Sequence, residues 1–447
     1  MKVYFVSLGC DKNLVDSEVM LGLLREKGYE FTDDETQAEI IIVNTCSFIH
    51  DAMDESVETL LEMAEYKKSG SAKVLIVTGC LAQRFQQDIL DEIEEVDAVI
   101  GTTAYADICQ VIDRVLEGQR LVDTHNLSEL PMPKVHRVIT TGGYSSYLKI
   151  AEGCDKHCTY CIIPALRGNY RSYPMEQILE DARELAKAGV KELNLVAQET
   201  TVYGVDIYGK KMLPQLLHQL CQIEDIRWIR ILYGYPEEIT DELIETIRTE
   251  KKVCHYLDLP IQHANDQILK RMGRHTSRQE LEEIIGKLRT NIPDIALRTT
   301  LITGFPGETK DQHEELMDFV EKMKFDRLGV FTYSAEDGTA AALMPDQIDE
   351  EVKNERRDEL MELQQEIAFE DADAFIGREL EVLVEGRLVD EDVYVGRTYR
   401  DAPEVDGYIF IDAQEELLSG DFVKVKVTGS RDYDLIGEVI YEDEPTE

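Results

Sequence analysis

Three continuous apolar runs open the chain: VYFVSLGC (residues 3–10), EIIIVNTC (39–46) and KVLIVTGC (73–80). Runs without polar alternation are the pattern of strands buried on both faces, as in a parallel sheet covered by helices. Between the first two lies DSEVMLGLLREKG (16–28), whose Asp-Ser start and Gly stop predict a helix. Each run ends in a cysteine: Cys10, Cys46 and Cys80. Ligands of an open parallel sheet bind beyond the carboxyl ends of its strands, so this pattern brings the three thiols to one edge. One such cysteine would be ordinary core packing. Three at equivalent positions read as a three-thiolate metal site, most simply an iron-sulfur cluster with an open iron.

The pattern weakens over residues 118–143, where LPMPK and TTGG punctuate a linker. Strands resume with YLKIAEGC (147–154), a helix at 176–189 and ELNLVAQET (192–200). WIRILYGYP, HYLDLPIQH, ALRTTLITGFPGE and RLGVFTYSAED continue the series, separated by helical stretches at 240–249, 279–290 and 311–322. Six strands alternating with helices predict a parallel, partly closed (β/α)6 barrel with its chemistry at the carboxyl-end face. Residues 349–375 are charged and periodic, with Val352, Leu360, Leu363 and Ile367 on one face, and predict a long helix leading away from the barrel. The rhythm then changes to short strands, ELEVLVEGR, VYVGRTY, GYIFID and FVKVKVTGS, which predict a small all-β barrel over 377–442 of a kind that docks macromolecules. The expected organisation is an α/β open-sheet domain at 1–117, a linker at 118–143, the barrel at 144–374 and the β-barrel at 375–447.

The loop after the first barrel strand reads GCDKHCTYC (153–161), placing Cys154, Cys158 and Cys161 at a C-x3-C-x2-C spacing. A structural zinc site closes its shell with four protein ligands, whereas three thiolates leave a position open. Three thiolates also hold three irons of a [4Fe–4S] cluster and leave the fourth iron free. The alternative is a zinc knuckle with a distant fourth ligand, or unrelated buried cysteines. Cys109, Cys221 and Cys254 have no partner spacing and read as incidental thiols.

Composition narrows the setting. At 447 residues the chain holds two to four domains. Its 47 Lys+Arg against 90 Asp+Glu give a net charge of −43, which repels phosphate backbones and attracts basic partners, or serves solubility alone. Nine cysteines are an odd count, MKVYFVSLGC is too short an apolar run for a secretory signal, and no stretch reaches the length of a membrane span. A cytoplasmic protein with reduced thiols is expected, where patterned cysteines are metal or redox ligands rather than disulfides.

GCDKHCTYC carries the signature of the radical S-adenosylmethionine (SAM) enzymes, and Tyr160 between its last two cysteines fits it. With both cysteine sets in view, nearly the whole chain resembles the methylthiotransferases, which join an N-terminal cluster domain, a radical-SAM barrel and a C-terminal TRAM domain. The likeness is carried by GCDKN with the following DSE (9–18), NTCSF (44–48), TGC (78–80) and EGCDKHCTYCIIPALRG (152–168) with its Pro164 and Arg167-Gly168. Within that family GCDKN, AEGC before the barrel triad and RILYGYP (230–236) are similar to the branch acting on an aspartate of ribosomal protein S-twelve, rather than the branch acting on a modified adenosine in tRNA. Charge points the same way: residues 377–447 hold seven Lys+Arg against twenty Asp+Glu, a net of −13, where an RNA-docking barrel should be basic.

The resemblance implies two [4Fe–4S] clusters, one on Cys10, Cys46 and Cys80 and one on Cys154, Cys158 and Cys161, with SAM cleaved at the second and the sulfur to be inserted held at the first. It implies two SAM molecules per turnover and an external electron donor and sulfur source. It also places Glu199 near the SAM amino group, although the family more often shows Asp there. The turn at 304–308, with Gly304 and Glu308, resembles the segment near the adenine. Two alternatives stand beside this reading: a tRNA methylthiotransferase, and a non-catalytic iron-sulfur or zinc protein that docks on ribosomes.

Overall fold

The computed structural model describes residues 1–389 and 393–441, so residues 390–392 and 442–447 of the expected β-barrel lie outside the described residues. Strands β1 (Lys2–Ser7), β2 (Glu30–Phe31), β3 (Ile40–Thr45), β4 (Val74–Gly79), β5 (Ala98–Ile100) and β6 (Leu121–Asp123) form one parallel sheet in the order β2-β1-β3-β4-β5-β6. The apolar runs are continuous because both faces are covered. Val3, Ile40, Ile42, Val74 and Ile76 pack on one side against Met20, Leu24 and Ile112, while Ile41, Val43, Leu75 and Val77 pack on the other against Leu60, Met63 and Leu81. β5 and β6 are three-residue strands, and β6 lies within the stretch whose Pro and Gly content reads as linker. The first helix runs Asp11–Glu26, five residues ahead of the Asp-Ser signal, because Cys10 takes the capping position with an extended backbone and no side-chain bond.

The central domain is a second parallel sheet of six strands: β7 (Ser145–Lys149), β10 (Glu192–Val196), β11 (Trp228–Ile231), β12 (Val253–Asp258), β13 (Ala296–Thr303) and β14 (Arg327–Thr332), in the order β14-β13-β12-β11-β10-β7. A two-rung antiparallel ladder, β8 (Ala151–Glu152) with β9 (Arg171–Ser172), brackets the cysteine loop. Alternate strand residues such as Leu193, Leu195, Ile229, Ile231 and Leu297 face the outer helices in the largest core cluster. Ser277 and Thr309 begin two of those helices with reciprocal caps to Glu280 and Gln312. The long helix Glu350–Asp373 does not lead away from the barrel. Leu360 and Ile367 join the central core, Lys353 Nζ donates to the Tyr333 carbonyl at 2.9 Å, and Gln364 Nε2 to that of Phe325 at 2.9 Å.

The C-terminal domain is a closed five-stranded barrel, β15 (Glu379–Leu388), β16 (Val393–Thr398), β17 (Ile409–Asp412), β18 (Phe422–Arg431) and β19 (Asp434–Val439), ordered β15-β16-β17-β19-β18. β19, with Gly437 and Glu438 interrupting its apolar residues, is the strand the sequence pattern misses. This domain fills the inner face of the central sheet. Leu383, Ala402, Tyr399 and Phe422 pack with Tyr147, Val196, Trp228 and Tyr256, and Phe422 meets Trp228 edge-on at 4.9 Å between centroids. Polar contacts fix the seat: Arg397 pairs with Glu192 at 2.6 Å, Arg230 pairs with the same carboxylate at 3.1 Å, and Tyr256 donates to Asp406 at 2.7 Å. None of the described helices is long and apolar enough to cross a membrane.

Burial alone would raise the Glu192 carboxyl, but Arg397 and Arg230 pull it down to about 2 from an ordinary value of 4.5. A depressed carboxyl contributes stability that is present above the ordinary value and lost as pH falls toward the folded one. Glu192→Gln should therefore lower stability by about 3–5 kcal/mol at pH 6, and the gap to the unsubstituted protein should narrow below the ordinary glutamate range. Thermal unfolding of both proteins at near-neutral and at acid pH checks the magnitude and the direction.

Candidate active site

Strands β1, β3 and β4 are neighbours in the sheet, and their carboxyl ends deliver Cys10, Cys46 and Cys80 side by side. Two glycines make the turns possible. Gly9 (φ +87°) and Gly79 (φ +94°) hold backbones that L side chains rarely adopt, and a Cβ would stand 2.7 Å from Cys46 Cβ at the first and 2.3 Å from Asn44 Oδ1 at the second. Cys46 and Cys80 are buried and Cys10 is exposed. Burial pushes the Cys46 thiol up and the Cys80 thiol up to about 12; Cys10 adds to the effect at both, and Cys46 adds to it at Cys80. Asn13 lies among them: its Nδ2 donates to the carbonyls of Leu8 (3.1 Å) and Thr45 (2.9 Å), and its Oδ1 is 3.8 Å from Cys80 Sγ.

The second set lies in the loop between β8 and the helix Ile163–Arg167. Cys154 and Cys158 are buried and Cys161 half-buried. The Lys156 amide donates to Cys154 Sγ at 3.5 Å, and the hydroxyl of Tyr235 is 3.0 Å from Cys158 Sγ. Burial raises the thiols of Cys154 and Cys161, to about 11 and about 12. The two sets are close: Ile162, directly after Cys161, and Leu166 pack against Cys80, and Thr102 donates to the Leu166 carbonyl at 2.7 Å.

A buried ion network fixes that approach. Arg167 donates to Glu152 (2.9 Å) and to Asp16 (3.0 Å), and its other nitrogen bonds Asn13 beside the first thiol set. Lys149 pairs with the same two carboxylates, and all four charged side chains are at most 7 % exposed. Burial would raise Glu152, yet Arg167 and Lys149 bring it down to about 2. Glu18 extends the junction by pairing with Arg137 at 2.7 Å and accepting from the Thr140 amide at 2.8 Å. The Asp16-Ser17-Glu18 motif thus serves the domain interface.

Comparisons with known proteins accord with this architecture. A model of the uncharacterized protein family UPF0004 matches residues 2–101, the radical SAM superfamily matches 148–320, and the TRAM domain matches 376–440. A ribosomal protein uS12 methylthiotransferase RimO of Lachnoclostridium phytofermentans is 64 % identical over 437 residues, covering 98 % of this chain and 99 % of the relative. The chain belongs to the RimO family. The RimO of Clostridioides difficile is 48 % identical over 442 residues, covering 99 % of each chain. Among solved structures, the radical SAM methyltransferase TsrM of Kitasatospora setae, with cobalamin and a [4Fe–4S] cluster bound, matches at a TM-score of 0.54 and 13 % identity over 74 % of each chain. The cobalamin-dependent SAM radical enzyme OxsB matches at 0.53 and 14 % identity, over 82 % of this chain and 56 % of that one. These two share the fold.

[4Fe–4S] clusters and SAM are the cofactors of this RimO-family chain. The residues present fit both. Tetrahedral zinc, with Zn–S bonds of about 2.3 Å, needs sulfurs under about 4 Å apart. Among the described residues only Asp107, Asp123 and His125 bring three ligand atoms within 4.8 Å of one another, so neither thiol set is drawn in as zinc requires. For SAM, the carboxyl-end face of the barrel carries buried polar atoms without hydrogen-bond partners: Gln198 Oε1 and Glu199 Oε2 after β10, both Glu237 oxygens after β11, Gln262 Oε1 after β12, Thr303 Oγ1 ending β13, and, from a connection between two helices, Nε and Nη1 of Arg274. Carboxylates beside a guanidinium complement a ligand that carries both an ammonium and a carboxylate.

The positions expected to touch SAM behave differently from one another. Glu199 is buried; its Oε1 accepts from the Thr201 amide at 3.1 Å while Oε2 stands 3.9 Å from Lys156 of the cysteine loop, and burial raises the carboxyl to about 7. Gly304 and Glu308 instead meet the long helix. A Cβ on Gly304 would stand 2.3 Å from Lys353 Cγ, and Glu308 pairs with Arg356 at 3.1 Å while accepting from the Phe305 amide at 3.1 Å. Arg274, Glu237, Tyr235 and Lys156 carry no motif signal that singles them out, apart from the place of Tyr235 in RILYGYP and of Lys156 between two cysteines.

Asp16→Ala leaves Lys149 and Arg167 sharing Glu152 alone, and should destabilise the metal-free protein by about 3–5 kcal/mol. Lys27→Ala, at the exposed pair with Asp113, should change it by less than about 1 kcal/mol. Urea unfolding of the two variants under reducing conditions measures the contrast.

Proposed function

We propose that the chain adds a methylthio group to the β-carbon of an aspartate of ribosomal protein uS12 in the cytoplasm, using two [4Fe–4S] clusters, two SAM per turnover, and an external electron donor and sulfur source. Cys154, Cys158 and Cys161 hold the cluster that engages SAM, and Cys10, Cys46 and Cys80 hold the cluster that carries the sulfur. The observation that carries this reading is the meeting of two three-thiol sets from two domains, with Cys80 packed on Ile162, the residue after Cys161. The near full-length likeness to relatives named for uS12 methylthiotransfer supports the choice of substrate. So does charge: the C-terminal barrel, at a net of −13 from seven Lys+Arg and twenty Asp+Glu, attracts a basic ribosomal protein and repels tRNA.

When bound, cluster and SAM supply a carbon radical able to take hydrogen from an unactivated C–H bond, which offers a general base no handle. The chain's own residues bind and orient. Glu199 and Glu237 face the SAM ammonium, and Arg274, held by a bond from Nη2 to the Pro260 carbonyl at 2.9 Å, offers its free N–H groups to the carboxylate. Gly304 lies toward the adenine, in a turn whose Phe305 packs with Tyr160 of the cysteine loop. Glu308 acts at one remove, by holding that turn against the long helix.

Cys158→Ala should abolish 5′-deoxyadenosine formation from SAM and dithionite. Cys46→Ala should keep that product and lose methylthio transfer, as read by mass spectrometry of uS12; methylthio product from the Cys46 variant sinks the division of labour. Incubation with tRNA in place of uS12 should yield no mass gain. Because burial raises Glu199 to about 7, its carboxylate form grows as pH rises through that value. SAM affinity of the reconstituted enzyme should therefore increase from pH 6 to pH 8, and Glu199→Gln should flatten the profile.

A further inference from the structure

Tyr235 follows β11 at the carboxyl-end face, and its hydroxyl stands 3.0 Å from Cys158 Sγ. Its position is fixed on three sides. The Tyr235 amide donates to Thr201 Oγ1 at 3.2 Å, the Arg274 guanidinium lies 3.9 Å from the ring centroid, and Lys156 Nζ lies 4.8 Å from it. Two cations over one ring draw electron density from it and make its hydroxyl a stronger donor. The metal-free thiol has a proton of its own, but a thiolate bound to iron has none, so in the loaded site the phenol must be the donor.

We infer that Tyr235 donates a hydrogen bond to the Cys158 thiolate and thereby raises the reduction potential of the cluster on Cys154, Cys158 and Cys161. The inference rests on the assignment of those three thiols as cluster ligands. Hydrogen bonds to ligand sulfur stabilise the extra negative charge of the reduced cluster and are a principal lever on its potential. Tyr235 is a positioning residue in this account: it acts on SAM cleavage through Cys158, by making the electron easier to accept.

The test uses the full chain with Cys10, Cys46 and Cys80 replaced by Ala, so that one cluster gives the signal, and compares it with the same protein carrying Tyr235→Phe. The substitution removes one hydroxyl and keeps the ring under its two cations. Midpoints are read by potentiometric titration followed by electron paramagnetic resonance, and SAM affinity is measured on the oxidised cluster. The expected result is a more negative midpoint in the Phe variant with SAM affinity unchanged. An unchanged midpoint overturns the inference, as does a loss of SAM affinity without a change in midpoint, which would make Tyr235 a SAM contact. Failure of the triple-Ala protein to assemble any cluster would instead overturn the ligand assignment itself, a result that the iron content reports separately.

Discussion

The arrangement of this molecule depends on four charges buried at one junction: Asp16 from the first helix, and Lys149, Glu152 and Arg167 from the barrel. Removing such groups from water is costly, and the cost is recovered only when every charge meets its partners in good geometry. A slip between the domains would leave a cation or a carboxylate buried alone, so the junction has one acceptable register. Arg167 is also the last residue of the short helix that follows Cys161, and it bonds Asn13 within the first thiol set. The register of the charges is thereby the register of the thiols.

Much of this was legible in the chain because it is periodic. Continuous apolar runs marked strands β1, β3 and β4 of the first sheet, their terminal cysteines fell together at one edge of it, and the six barrel strands appeared in order. What escaped has physical reasons. β5 and β6 are too short to show a period, and β19 is broken by Gly437 and Glu438. The first helix begins before its polar signal because Cys10, which makes no side-chain cap, occupies the capping position. The long helix is expected from the sequence to lead away from the barrel, yet Leu360 and Ile367 of its apolar face, with bonds from Lys353 and Gln364, lay it along the barrel.

The site itself was half visible. The six candidate cysteines stand at motif spacings, whereas Glu199, Glu237, Gln262 and Thr303 follow or end different strands, and Arg274 lies between two helices. No local pattern connects residues that topology alone brings together. Gly304 and Glu308 belong to a recognisable motif, and their turn also anchors the long helix. A motif reports that a segment matters, and the packing around it reports how.

The seating of the C-terminal barrel has a consequence for how the chain can be divided. Two of the barrel's few cations, Arg397 and Arg400, are almost wholly buried and paired with Glu192, Asp326 and Asp371, so they do nothing to soften its acidic exterior. They are spent closing the inner face of the neighbouring sheet, alongside Leu383 and Ala402. The last domain is therefore also a structural wall of the middle one. A chimera that exchanged this domain for another of the same fold would have to carry over the stretch from Arg397 to Asp406 unchanged, because that stretch belongs by its contacts to the domain it closes.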